Sequence, residues 1–279
     1  MRNIGGHKMN TTKSYCHVKY KKKKISFKGK VLGILIGISG LGMIYNIDQK
    51  FQNVFVQYEK VDNSKIEEIL KNEEVYPEEL IELALTKEET IDFVYNYTEY
   101  KEDPYENEIN IKKDYKKGEF PLFIQWDERW GYDLYGDTYM AINGCGPTTL
   151  AMVIVGLTGD VNINPKVVAD YSYNNNYYVE NVGTSWNLMT EGVQAFGIQG
   201  EEIPLSEKEI IGALEKGQPI IASMKPGNFT TGGHFILLTG VTQDGEIIVN
   251  DSDSIKRSGM TWDIDTIMSE VKGLWKFYI

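Results

Sequence analysis

Residues 144–159 read GCGPTTLAMVIVGLTG, and the reading of this stretch decides the fold. Gly-Cys-Gly-Pro is turn chemistry. Thr148 and Thr149 follow, and the apolar Leu150, Met152, Val153 and Val155 run on to a glycine stop at Gly156 or Gly159. This is a turn feeding a helix, with Cys145 at the helix N-terminus. Unpaired N–H groups and the helix dipole favour an anion at that position, which suits a thiolate nucleophile and is hard to motivate for a cysteine that only packs. Gly144 and Gly146 leave room for backbone to approach a substrate, and the Cys145 N–H can point at a developing oxyanion.

Moving outward, the cysteine and histidine positions narrow the chemistry. The chain has two cysteines, Cys16 and Cys145, and three histidines, His7, His17 and His234. Beyond residue 47 there is therefore one thiol and one imidazole. A structural zinc wants four Cys/His ligands and a catalytic zinc usually several, so most metal readings fall away and no metal or organic cofactor is expected. A Cys–His nucleophilic pair remains, against the bland reading of a buried inert cysteine beside an unrelated histidine.

His234 follows Gly232-Gly233 and opens HFILLTGVTQDGEIIVND (234–251), a hairpin with its turn at Asp244-Gly245. The return strand brings Asp251 back to the end where His234 lies, where a carboxylate can fix the imidazole tautomer. Asn250 is the rival orienter, although alternation points it to the opposite face, and Asp253 is a third choice. Upstream, FPLFIQW (120–126) reads as a strand with Gln125 at its end. Its amide can serve as a second oxyanion donor, although a glutamine at a strand end is ordinarily just solvated.

GTSWNLMTEGVQAFG (183–197) reads as a second helix, capped by Thr184 or Ser185 and stopped by Gly197. SEKEIIGALEKG (206–217) reads as a third, with Ser206 and Glu209 as a capping box and Gly217 as its stop. QPIIASMK (218–225) and the closing LWKFYI are strands. Helices first and antiparallel strands later give an α+β domain over residues 119–279. Trp126, Trp130 and Trp186 read more readily as core aromatics than as a groove lining.

The N-terminal third reads differently. Ten of the 29 Lys and Arg residues fall in residues 1–30, where there is no acidic residue; the other nineteen face all 40 acidic residues in the remainder. An acidic body argues against a nucleic-acid partner, which needs clustered basic groups on the folded domain. Residues 31–47, VLGILIGISGLGMIYNI, carry no charge and are just long enough to span a bilayer. The lysine-rich flank before them makes 1–30 a cytoplasmic tail and 31–47 an uncleaved transmembrane anchor, with the catalytic domain extracellular. Residues 48–118 are an acidic helical stalk or pre-domain. Ser64 with Glu67, and Thr86 with Glu89, fit capping boxes there, and Pro77 suits a helix start.

FIQWDERWG, GCGPTTLAMV, GGHFILLTGV and GEIIVNDS together resemble the blocks of the bacteriocin-processing (double-glycine) peptidase-like family, in its stand-alone bacterial branch, over about 119–279. YPEELIELALTKEETIDFVYNY also resembles the pre-domain region of many Gram-positive members. The resemblance implies a papain-like cysteine peptidase fold, a peptide or protein substrate, and a catalytic set of Cys145, His234, Asp251 and Gln125. Transporter-fused members cleave leader peptides after a double glycine; this chain departs from them in showing no transporter or ATPase motif. Two rival functions fit the same residues: an amidase or acyltransferase acting on cell-wall peptides, and a catalytically silent cell-surface binding module.

Overall fold

The structure, a computed structural model, describes residues 64–102 and 109–279. The basic tail, the apolar run 31–47 and Cys16 lie outside the described residues. Among the described residues no helix is long and apolar enough to cross a membrane.

The described chain opens with helices α1 (Ser64–Lys71), α2 (Glu78–Thr86), α3 (Ile91–Tyr95) and α4 (Tyr97–Glu102), with a 3-10 turn at Glu88–Thr90. They bury one another through Ile66 and Ile69 of α1, Leu80, Ile81 and Ala84 of α2, and Phe93 and Val94 of α3. They also pack on the body of the domain. The Phe93 and Tyr132 rings stack with centroids 4.2 Å apart, and the Tyr132 hydroxyl donates to the Phe93 carbonyl at 2.6 Å.

A small ribbon of β1 (Leu134–Tyr135) and β2 (Thr138–Tyr139) leads into the single turn α5 (Met140–Asn143) and the long α6 (Cys145–Thr158). Next come α7 (Pro165–Asn174), a second ribbon of β3 (Tyr178–Val179) and β4 (Gly183–Thr184), then β5 (Gln199–Ile203), α8 (Glu207–Leu214), β6 (Ile220–Met224), β7 (His234–Val241), β8 (Ile247–Asp251), the short α9 (Ile255–Ser258), β9 (Thr261–Trp262), α10 (Ile264–Glu270) and β10 (Val271–Tyr278).

Among the described residues the main sheet has six strands in the order β5-β10-β6-β7-β8-β9, every pair antiparallel. The architecture is α+β. Alternation splits β7 between two cores: Phe235 and Leu237 pack with α6, whereas Ile236 and Leu238 pack with α8 and α10. Residues Gly146 to Val155 of α6 are all buried, so α6 is covered on every side. It stops at Gly159 in the left-handed conformation (φ 73°), which glycine adopts without a Cβ clash.

Four local readings need correction. FPLFIQW is no strand: residues 120–124 take no regular structure and 125–126 lie in a turn. Pro121 removes a donor, and the segment is tied instead by the Asn250 amide, which donates to the Phe120 and Pro121 carbonyls at 3.1 Å, and by Gln125 N–H to Ser252 O at 2.7 Å. Residues 183–197 form β4 and two 3-10 turns, Trp186–Met189 and Gly192–Phe196, rather than one helix. Ser185 does cap the first turn and Gly197 ends the second, but Gly192 sits between them, and a Cβ there would lie 2.9 Å from Leu188.

The Thr86–Glu89 capping box does not form: the Thr86 hydroxyl bonds back to the Glu82 carbonyl at 2.8 Å, and the Glu89 carboxylate is taken by residues 254 and 256. Ser206 stands at the start of α8 without a side-chain cap bond. Two further elements have local signals of their own. Asn164-Pro165 is a capped helix start, with the Asn164 side chain accepting from Val167 N at 3.1 Å. QGEEI (199–203) is polar because it is an edge strand.

Gly156 lies inside α6, where alanine is worth about 1 kcal/mol more than glycine as a helix former. A Cβ there would sit 2.1 Å from the Phe120 ring, and overpacking a close-packed site costs about 1–3 kcal/mol. Gly156→Ala is therefore expected to lower stability in a urea melt. Phe120→Ala in the same chain is expected to restore the helix-propensity gain.

Candidate active site

Three side chains meet at one end of the sheet. Cys145 is the first residue of α6, half-buried and unpaired with any other cysteine among the described residues. His234 is the first residue of β7, and Asp251 is the last of β8. In the β7–β8 register Asp251 stands opposite Ile236, so Asp251 and His234 point to the same side. Their side chains meet, with His234 Nε2 2.7 Å from Asp251 Oδ1. The hairpin geometry that the Asp244-Gly245 turn implied is thus present, with Gly245 at φ 87° in the turn.

Asn250, the rival orienter, points away and holds the 120–121 segment. Asp253 is also engaged elsewhere: it pairs with Lys87, and Arg257 Nη2 lies 3.8 Å from it.

The electrostatics follow from burial and pairing. His234 and Asp251 are almost completely enclosed, at 6% and 0% exposure. Burial opposes a charged imidazole, but the Asp251 carboxylate and the adjoining Cys145 side chain outweigh it and push His234 up to about 10. Burial likewise opposes a charged carboxylate, yet His234 and Arg257 hold Asp251 down at about 2. With Nε2 committed to Asp251, Nδ1 is the ring nitrogen left to face the thiol.

Gln125 is 3% exposed, not solvated. Its amide nitrogen donates to Ala141 O at 2.9 Å and Ile142 O at 3.3 Å, the last turn before Cys145. Its oxygen accepts from Ser252 Oγ at 3.4 Å, and Thr149 Oγ1 of α6 reaches Phe235 O at 3.2 Å. Gln125, Ser252 and Thr149 therefore stitch α6 to β7 and β8 beside the Cys–His–Asp cluster. No side chain caps α6 at its start, and no backbone acceptor takes the Cys145 N–H among the described residues.

The two glycines flanking Cys145 have a different reason from the one expected. A Cβ on Gly144 would lie 2.4 Å from Met140 O, and one on Gly146 would lie 2.3 Å from Thr184 Oγ1. Both positions are filled by the protein itself, so they leave no room for substrate. Gly232 and Gly233, before His234, do have open space around them. Of the tryptophans, Trp130 is buried, Trp126 donates to Asp253 O at 3.4 Å, and Trp186 is 44% exposed against the edge of Trp275.

Residues 117–278 match the family described as Peptidase_C39 like. The match spans more than half of the chain. The chain belongs to the Peptidase_C39-like family. Among solved structures it is similar to the peptidase domain of Streptococcus ComA, a bifunctional ABC transporter involved in a quorum-sensing pathway. That similarity is 18% identity over 57% of this chain and 96% of that one, with a TM-score of 0.40. Comparison with the curated proteins returned no match. In this Peptidase_C39-like chain, sequence reasoning missed Arg257, whose Nε donates to Asp251 Oδ2 at 2.5 Å. Its only signal was a basic residue six positions after the aspartate.

Both shifts can be read as stability. A raised imidazole contributes stability fully below its ordinary value of about 6.5, and that contribution fades as pH rises toward about 10. A depressed carboxylate contributes above its ordinary value of about 3.8 and loses that contribution as pH falls through about 2. Asp251→Asn is therefore expected to be most destabilising, relative to wild type, between about pH 4 and 6.5. It should also lower the His234 titration midpoint, because only Cys145 then remains to oppose burial. Urea melts across pH and histidine NMR titration check the two.

Proposed function

We propose that this protein is a papain-like thiol peptidase in which Cys145 attacks a peptide carbonyl. The observation that carries the reading is the enclosed His234–Asp251 pair, 2.7 Å apart, beside the Cys145 side chain at the start of a long helix. Family membership supports the same chemistry.

His234 accepts the Cys145 proton, and Asp251 keeps the imidazole oriented and its positive charge supported. The thiolate forms a bond to the carbonyl carbon, and the carbonyl electron pair moves onto oxygen. In this reading the Cys145 N–H, which no backbone acceptor takes among the described residues, is the first donor to that oxyanion. The Gln125 amide nitrogen, which donates to the Ala141 and Ile142 carbonyls just before Cys145, is the second donor in this reading, and its longer bond, to Ile142 O at 3.3 Å, is the one exchanged for the oxyanion. Collapse expels the amine, which takes the proton from His234. Water then attacks the thioester with His234 as base and frees Cys145.

The substrate is read as an extracytoplasmic peptide or protein. The charge-free run 31–47 behind a lysine-rich flank supports an anchored protein with its catalytic body outside the cell. A peptide-level comparison of wild type with Cys145→Ala in the producing cell tests the activity. Loss of a defined set of cleaved peptides is expected; unchanged cleavage ends the reading, and altered cell-wall fragments alone reassign it to amide chemistry on the wall. With the peptide so found, Gln125→Ala is expected to lower kcat by about 100-fold, the usual cost of one oxyanion donor. Alkaline carbonate extraction of membranes tests the anchor: the chain should stay with the lipid, and its release would refute the span.

A further inference from the structure

Asp251 is held from three sides. Oδ1 accepts from His234 Nε2 and from Asp253 N at 2.8 Å, and Oδ2 accepts from Arg257 Nε. Arg257 sits on α9, a single four-residue turn with no buried residue. One turn of helix does not hold itself, because nucleation fixes several dihedrals for one bond. Something else must hold α9. Ser258 ties it to the Asp251 backbone at 2.8 Å and the Trp262 indole donates to Arg257 O at 3.1 Å; further contacts come from the turn between α2 and α3. Glu89 Oε1 accepts from Ser254 Oγ at 2.5 Å, and Glu89 Oε2 accepts the otherwise unpaired N–H of Lys256 at 3.1 Å. Lys87 forms an ion pair with Asp253 Oδ2, the oxygen that also faces Arg257 Nη2 at 3.8 Å. Arg257 Nη2 and Asp253 Oδ1 are both buried without a hydrogen-bond partner. Charge therefore alternates in sign from His234 through Asp251, Arg257 and Asp253 to Lys87.

We infer that the helical segment 64–102 is a positioning element for the active site: Lys87 and Glu89 grip residues 253–256, and through Arg257 they fix the Asp251 carboxylate toward His234. Its catalytic consequence rests on the thiol-peptidase reading; the grip itself does not. Neither Lys87 nor Glu89 touches Cys145, His234 or Asp251, so both act through Asp253, α9 and Arg257. An isolated catalytic body, cut free of the segment, would keep its Cys and His but lose the fixed aspartate.

The test uses the full chain labelled with ¹³C-histidine, the His234 resonance being the one absent from His234→Ala. The groups acting on His234 are Asp251 and Cys145, and Arg257 acts on Asp251. The double variant Lys87→Met with Glu89→Ala is expected to lower the His234 titration midpoint by about one pH unit or more. It should also slow alkylation of Cys145 by iodoacetamide at pH 7, read by peptide mass spectrometry, about tenfold. Lys87→Arg and Glu89→Gln, which keep a cation and an acceptor, should restore most of both, a rescue that a merely space-filling role would not give. A folded double variant with wild-type titration and alkylation overturns the inference. Should the double variant not fold, Glu89→Ala alone is read in the same way, and an unchanged midpoint overturns it equally. If instead His234→Ala leaves Cys145 alkylation unchanged, the peptidase reading fails while the His234 titration of the gripping variants still decides the inference.

Discussion

A carboxylate with no exposure to solvent is the constraint on which the rest of this site depends. Removing an ion from water costs several kcal/mol unless opposite charge and hydrogen bonds replace the lost hydration. Asp251 receives both, from His234, Arg257 and the Asp253 N–H. Each partner is thereby constrained in turn. His234 must lie at the start of β7, because the β7–β8 register brings only that end within reach. Arg257 must lie one turn beyond β8. Cys145 then meets the imidazole's remaining nitrogen only if the start of α6 lies over the same end of the sheet. The Gln125, Ser252 and Thr149 contacts hold it there.

This dependence explains which parts of the fold were legible in the sequence. Several features made by residues close in the chain were announced by the pattern. The glycine stop at Gly159, the hairpin turn at Asp244-Gly245, the apolar strand after His234 and the period of α6 are all local. So was the Cys–His–Asp order, since a hairpin fixes how far His234 stands from Asp251. The α+β layout needed only the order of those periods.

What escaped was set by tertiary competition. Glu89 has the spacing of a capping box after Thr86, and a local reading has no means of knowing that Ser254 and Lys256 offer it two better donors. FPLFIQW has the apolar composition of a strand, but its carbonyls at 120 and 121 are taken by a side chain, Asn250, rather than by a neighbouring strand. Residues 183–197 have helical composition, yet they form a short strand and two tight turns. Gly144 and Gly146 look like clearance for a ligand until Met140 O and Thr184 Oγ1 occupy that space. For Glu89, for the carbonyls at 120 and 121 and for Gly146, the residue type was informative and its partner was far away in sequence.

The Gln125 amide shows how the two scales combine. A donor aimed at an oxyanion is useful only if it is already fixed before charge develops, because reorganisation during the reaction would consume the stabilisation it offers. A glutamine has three rotatable side-chain torsions and is a poor candidate on those grounds. Here its oxygen is bound by Ser252 and its nitrogen by the carbonyls that precede Cys145, so the bonds that order the amide come from the chain that carries Cys145 and the chain that carries Asp251. Movement of either would displace the amide with it. The thiol, the imidazole and the amide are therefore best regarded as one unit whose geometry is set by how α6 and the β7–β8 hairpin are joined, and substitutions at Ser252 or Thr149 should act on all three together.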